Sequence, residues 1–414
     1  MTYEPRKSYS SNSLSPIGGV ALLFASNGMM IAGMLPWYPM LKSRFTLDDS
    51  LFGLLVACVA VGSLLSMGLP ARLVRGQGPR SSIVWGTLLM SLAVQSVALV
   101  PSAWFLAIVL LAVGFLDPFV DVAQNVLGVQ VEEAFGRSVM SSWHACWSLG
   151  AAASGFVGTW AVGHVPLAAH LAGNSVLSFL VAALGCVMLG SRWDGQPGQP
   201  ADSRLTDAAG DPATRQSESD PDSRSLGAKT AVGRVFPLAL IAMSAIGVEE
   251  IANSWAALSA HEVAGIPVER AGVALTVMFV AQCVGRFVGD PMINRLGREN
   301  VARIGGASIA LGGIIVIMAA APSLWLVGLA VAGFGCATIV PSTFVAAAAI
   351  PGLRKGEGIT IVSWLMRVGF LATSPLIGLV STATSLRVAL GILVLAGITI
   401  FIFSRRLAPT VPRV

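Results

Sequence analysis

The chain has 414 residues, 55% hydrophobic and only 11% charged, a balance that excludes an ordinary soluble domain of this size. Its formal net charge of +5 is scattered through short loops between apolar stretches and forms no basic stripe, which argues against a nucleic-acid partner. Cys58, Cys146, Cys186, Cys283 and Cys336 all fall inside apolar stretches without the paired spacing of a metal site or a disulfide framework, so neither a metal nor a cofactor is expected.

A spanning helix needs about 20 mostly apolar residues, and the sequence predicts twelve, in an all-α membrane protein. In order they are 17–40, 50–71, 82–101, 104–130, 139–162, 166–190, 235–260, 271–293, 302–321, 324–350, 358–380 and 384–404. The first is long enough to span and no small-residue cleavage site follows it, so it reads as a membrane helix, not a signal peptide. With the N-terminus inside, 20 of the 26 Lys and Arg fall on the cytoplasmic side, six of them in one connector, against Lys42, Arg44, Arg270 and Arg387 opposite. That bias predicts cytoplasmic termini. The expected layout is a tail at 1–15, six helices at 16–190, a disordered connector at 191–234, six helices at 235–404 and a tail at 405–414. The connector is rich in Asp, Ser, Pro, Gly and Ala and cannot bury enough apolar surface to fold.

The fourth segment holds Asp117, Asp121 and Asn125 at intervals of four, so a helix stacks them on one face. An ionisable group within a bilayer costs roughly 2.5–3.5 kcal/mol on insertion scales and therefore faces a partner or a watered path. His144 follows on the fifth segment between Trp143 and Trp147, and the hairpin of segments four and five predicts a hydrogen bond between Asp121 and His144. A proton-linked passage through a membrane is the working expectation.

The halves repeat. A shift of 219 residues carries Gly53, Gly78 and Gly86 onto Gly272, Gly297 and Gly305 without a gap. Two parallel copies of a six-helix unit are an architecture of secondary transporters, whose halves rock about a midplane site.

The stretches LDPFVDVAQNVLGVQVEEAFGRSVMSSWHACWSLG, EEIANSW, GRFVGDPMINRLGRENVARIGG, IVPSTF and VGFLATSPLIG with SLRVAL run through both halves. Together they resemble the major facilitator superfamily, and within it a bacterial branch whose members are labelled sugar or drug permeases. That resemblance implies a cavity lined by helices 1, 2, 4, 5, 7, 8, 10 and 11. The deep charges obey this division: Asp117 and Asp121 on helix 4, His144 on helix 5, Glu249 and Glu250 on helix 7, Arg286 on helix 8 and Arg367 on helix 11. It also implies a latch after the second helix of each half. Here Gly78 and Arg80 keep part of the motif without its acid, while Arg295 and Gly297 keep the counterpart, with Asp290 as a substitute acid. The proline pattern of drug-proton antiporters is missing from the fifth helix.

Asp121 is the first candidate for proton coupling, Glu249 the second, with Asp117 and His144 beside them. A structural pair of Asp121 and His144 is the competing reading. Trp147, Trp255, Asn125, Asn253, Arg367 and Glu250 are candidates for holding solute, together with Trp37, Trp143, Trp364 and Asn27, although Trp37 and Tyr38 also suit interfacial anchors. Arg367 needs an acid: a protein carboxylate makes it a gate, a substrate carboxylate makes it a binding group, and both readings stand. Arg286 is expected to pair with Asp290 four residues on. The function expected is proton-coupled uptake of a sugar-like or other polar solute by a monomer in the bacterial inner membrane, with efflux of drug-like compounds as the alternative. A membrane enzyme or a transporter-like sensor is less well supported, because no nucleophile, metal set or signalling domain is spaced for either.

Overall fold

The computed structural model describes residues 15–135, 139–190, 193, 228–350 and 357–408. The predicted tails and the 191–234 connector lie largely outside them. Among the described residues helices occupy all twelve predicted positions. Helix α1 (Ser15–Ala32) continues through a turn at Leu35–Trp37 into Tyr38–Arg44, and α2 runs Asp49–Leu65 and then Leu69–Gln77. Then come α3 (Pro79–Ser96), α4 (Ala103–Phe135), α5 (Met140–Ala161) and α6 (Leu167–Leu189). The second half has α7 (Ala228–Glu250, Ile251–Trp255, Ala256–Glu262), α8 (Val273–Leu296), α9 (Arg298–Met318), α10 (Pro322–Cys336, Ile339–Ala348), α11 (Glu357–Ala383) and α12 (Leu386–Ala389, Ile392–Phe403).

Ten of these rods are individually long and apolar enough to cross a membrane, and α2 qualifies only as a pair bent by 52°. The break in α2 falls where Gly68 adopts φ +80° ahead of Pro70, a junction that a continuous helix cannot pass. Helix α5 is outside that set because its serines, His144 and tryptophans lower its mean hydropathy. Large side chains such as Leu54, Trp104, Ile108, Phe156, Met318 and Leu395 point outward, as expected where the solvent is lipid.

Within the first half α1 packs on α5 and α6, and α4 on α2 and α3. The second half packs α9 on α10 and α12, and α7 on α11 and α12. Two pairs join the halves, α2 with α11 and α5 with α8, and glycine permits the close approach in both. A Cβ on Gly53 would stand 2.4 Å from the Ser374 carbonyl oxygen, and one on Gly272 would stand 2.2 Å from Thr159 Oγ1. The repeated glycines also match in conformation: Gly78 (φ +85°, ψ 157°) opens α3 and Gly297 (φ +81°, ψ 155°) opens α9. The sequence repeat is thus a structural repeat.

The joint is uneven along its length. At the end away from Arg72, Arg75, Arg295 and Arg298, Lys42 bridges Asp49 of its own half and, at 2.6 Å, Glu262 of the other. Ser381 also bonds Asp49, and the Ser50 hydroxyl bonds Thr382 at 2.9 Å. Among the described residues no hydrogen bond joins the halves nearer the basic end than Arg286 and Arg367. This conformer is sealed at the end opposite the basic charges.

Candidate functional site

The wall supplied by the first half follows from the four-residue spacing on α4. Asp117 Oδ1 accepts from Asn27 Nδ2 at 3.3 Å, and Asn27 Oδ1 accepts from Trp147 Nε1 at 2.7 Å, so α4, α1 and α5 share one polar row. Asp121 Oδ1 accepts from Gln124 Nε2 at 3.2 Å and Asn125 Nδ2 at 3.1 Å, both on its own helix. The row faces the other half: Trp147 meets the Phe279 ring edge-on at 5.8 Å. All the direct partners of these two carboxylates are amides.

The second half is wired differently. Glu249 Oε1 accepts from Arg286 Nη2 at 3.2 Å, and Arg286 Nη1 reaches across to the Ser148 hydroxyl and, at 3.0 Å, to the His144 carbonyl. Adjacent helical residues point about 100° apart, and Glu250 accordingly faces α11, not α8. Its Oε1 accepts from Ser254 Oγ at 2.5 Å and Ser374 Oγ at 2.6 Å, while Ser374 Oγ accepts from Trp255 Nε1 at 3.0 Å. The π-helical turn Ile251–Trp255 follows directly. Such turns inside α-helices frequently mark functional sites. Arg367 donates from Nη1 to Ser63 Oγ of the first half at 3.1 Å, and its charge acts on both Asp117 and Asp121.

Several sequence expectations change. Asp121 and His144 share no hydrogen bond; the His144 ring instead meets Phe24 edge-on at 5.0 Å. Arg286 pairs with Glu249, because its side chain turns inward to the other half while Asp290 stands exposed. Arg367 bonds neither Glu249 nor Glu250, since those carboxylates face α8 and α11 serines while Arg367 points to α2. Asn253 makes no hydrogen bond and its Oδ1 is buried without a partner. Trp364 is exposed, and Trp143 is buried against Phe24 with its indole bonded to the Ile17 carbonyl. Trp37 and Tyr38 are buried, not interfacial: Trp37 Nε1 donates to His170 Nδ1 at 2.9 Å and Tyr38 meets Phe52 edge-on. Among the gating candidates, Gly78 and Gly297 shape the openings of α3 and α9, Arg80 lies in the first turn of α3 at half burial, and Asp290 and Arg295 stand exposed without an ion pair among the described residues. The residues that sequence reasoning missed are Ser63, Ser148 and Ser374. A lone serine in an apolar helix gives no signal until its neighbour is known. Among the described residues no group of three or more His, Cys, Asp or Glu is placed to hold a metal.

The profile of the Major Facilitator Superfamily matches residues 235–414. An uncharacterized MFS-type transporter of Yersinia pestis is 28% identical over 92% of this chain and 92% of its own length. An uncharacterized transporter of Sinorhizobium fredii is 29% identical over 90% and 93%. The crystal structure of the nucleoside transporter NupG superposes with a TM-score of 0.69 at 14% identity, covering 95% of this chain and 98% of that one, which is a likeness of fold.

Proposed function

We propose that this chain is a member of the major facilitator superfamily, whose profile matches its second half, and that it is a proton-coupled uptake carrier for an uncharged, polar, sugar-like solute. On this reading it is a secondary transporter and not an enzyme, a multi-pass protein of the bacterial inner membrane, in keeping with the transporter relatives of 28% and 29% identity. The observation that carries the solute class is the row Asp117, Asn27, Trp147 on one wall of the inter-half cavity. Asn27, buried between them, holds the partly exposed Asp117 carboxylate and Trp147 ring in place, a polar group beside a flat apolar face, the combination that orients sugars and ring-bearing solutes. Arg286 already has its acid in Glu249, which weighs against its binding an anionic solute. Asp117, Asp121, Glu249 and Glu250 are the carboxyls available to take up a proton. Transport then exchanges the seal at Lys42, Asp49 and Glu262 for one at the basic end, with Asp290, Arg295 and Arg80 coming into contact there.

Purified protein in proteoliposomes tests this with pooled sugars, nucleosides, organic acids and drug-like cations, reading solute-triggered proton movement. The expected result is a response to sugars or nucleosides that weakens at least tenfold in Asn27→Ala. A response confined to the organic acids overturns the solute class, and one confined to the cations supports efflux instead.

A further inference from the structure

Four carboxyls lie deep in the bundle on α4 and α7, and their surroundings are unequal. Asp117 and Asp121 feel Arg367, and Glu249 is bonded to Arg286. Glu250 is 2% exposed and, among the described residues, pairs with no cation: its bonded partners are the hydroxyls of Ser254 and Ser374. We propose that Glu250 is the carboxyl that gains and loses the coupling proton as the carrier changes conformation, and that the hydroxyls of Ser254 and Ser374 serve it in both states. This rests on the proton-coupled reading above.

A hydroxyl donates to a carboxylate and, after rotation, accepts from a carboxylic acid, so two hydroxyls can satisfy Glu250 with or without its proton. A guanidinium only donates, so Arg286 offers Glu249 no acceptor for a carboxyl proton. An ionised carboxylate buried without a cation costs several kcal/mol, so in this sealed conformer the neutral acid is the form that fits. The groups around it are otherwise committed. From α8, Arg286 is taken by Glu249; from α11, Arg367 reaches Ser63; from α10, the Cys336 thiol donates to the Ala245 carbonyl; from α12, Arg387 is held by the carbonyls of Ile317, Ala319 and Val263. At the outer end Lys42 binds Asp49 and Glu262, and His261 contacts the Ile266 carbonyl. Tyr38, a neutral phenol, is the remaining titratable neighbour and feels the charge of Glu250.

Movement can couple to this proton because Glu250 and Ser374 sit on different helices. The π-helical turn Ile251–Trp255 begins at the next residue, and Trp255, which donates to Ser374, lies at its end. A shift of α7 against α11 separates Glu250 from Ser374 and admits water. The carboxyl O–H bond then breaks, its electron pair stays on the carboxylate and the proton passes to that water.

Infrared difference spectra of the purified carrier between acid and alkaline pH test the assignment without needing the solute. A protonated-carboxyl C=O band that is lost in Glu250→Gln, and that shifts in Ser374→Ala and in Ser254→Ala because each removes a hydrogen-bond partner of the carboxyl group, is the expected result. The serine variants keep the test decisive should Glu250→Gln fold poorly. A band that survives Glu250→Gln, one lost only in Asp121→Asn or Glu249→Gln, or one indifferent to both serine variants overturns the proposal. In the proteoliposome assay, Glu250→Gln that still moves protons with the responding pool overturns it as well. Failure of every pool with a titrating Glu250 counts against the transport reading alone.

Discussion

The two halves share a scaffold and differ in how their buried charges are satisfied. In the second half Glu249 has its arginine on the neighbouring helix and Glu250 its two serines, so each carboxylate is answered within its own bundle. In the first half Asp117 and Asp121 bond only amides, and the positive charge they feel is Arg367, from across the cavity. The matched glycines show that the backbone repeat survived intact; the charges did not repeat with it. A carrier whose halves must separate and rejoin can use that difference, because the acids of one half depend for their countercharge on where the other half stands.

The largest loss is expected at Glu249. Glu249→Gln leaves the half-buried Arg286 without its acid, and removing one partner of a buried ion pair costs about 3–5 kcal/mol. Thermal unfolding of the detergent-purified protein should register that loss, and Glu249→Leu with Arg286→Met should recover most of it. If the double variant is no better than the single, the pair is not what stabilises the second half.

The glycine pairs sharpen the comparison next. Gly53→Ala forces a methyl against the backbone oxygen of Ser374, whereas Gly272→Ala meets first the Thr159 hydroxyl and then the Pro36 ring. Overpacking of this kind costs about 1–3 kcal/mol, and the loss should be larger at Gly53, where no side chain can swing away. The readout is labelling at the outer end by a membrane-impermeant thiol reagent, with Ser50→Cys as the reporter; greater reactivity in Gly53→Ala marks a loosened seal. Gly78→Ala and Gly297→Ala, by contrast, should cost the same to within the error of a melting curve, about 1–3 kcal/mol each, because both residues hold the same glycine-only backbone geometry. Unequal losses there would mean that the halves differ in backbone as well as charge.

The smallest effect is expected at Asp121. Its bonded partners are amides on its own helix, and an amide in its place can keep one of them, so Asp121→Asn should change stability by no more than about 1 kcal/mol. A loss as large as that of Glu249→Gln would erase the contrast between the halves.

Much of the architecture was legible along the chain, and the reasons are specific. Segments of about 20 apolar residues have no stable home but a bilayer, so the twelve helices could be placed to within several residues. The 219-residue shift found the repeat because Gly78 and Gly297 hold a conformation that other residues resist. The deep charges could be placed on cavity-facing helices, since a lone ionisable group in an apolar run stands out. The bends in α2 and α10 were not foreseen, as each interrupts an apolar run without ending it.

Composition and spacing by themselves therefore determined that this protein spans the membrane, in two related bundles, with acids along α4 and α7. Which acid meets which partner was decided only by the tertiary structure. Arg286 chose Glu249 over Asp290, Arg367 chose Ser63 across the cavity, and Trp37 turned from the interface to His170. Spacing along a helix fixes the direction in which a side chain leaves it, whereas a partner on another helix depends on how the helices are rotated and how closely glycine lets them approach. That information is spread over contacts far apart in the chain.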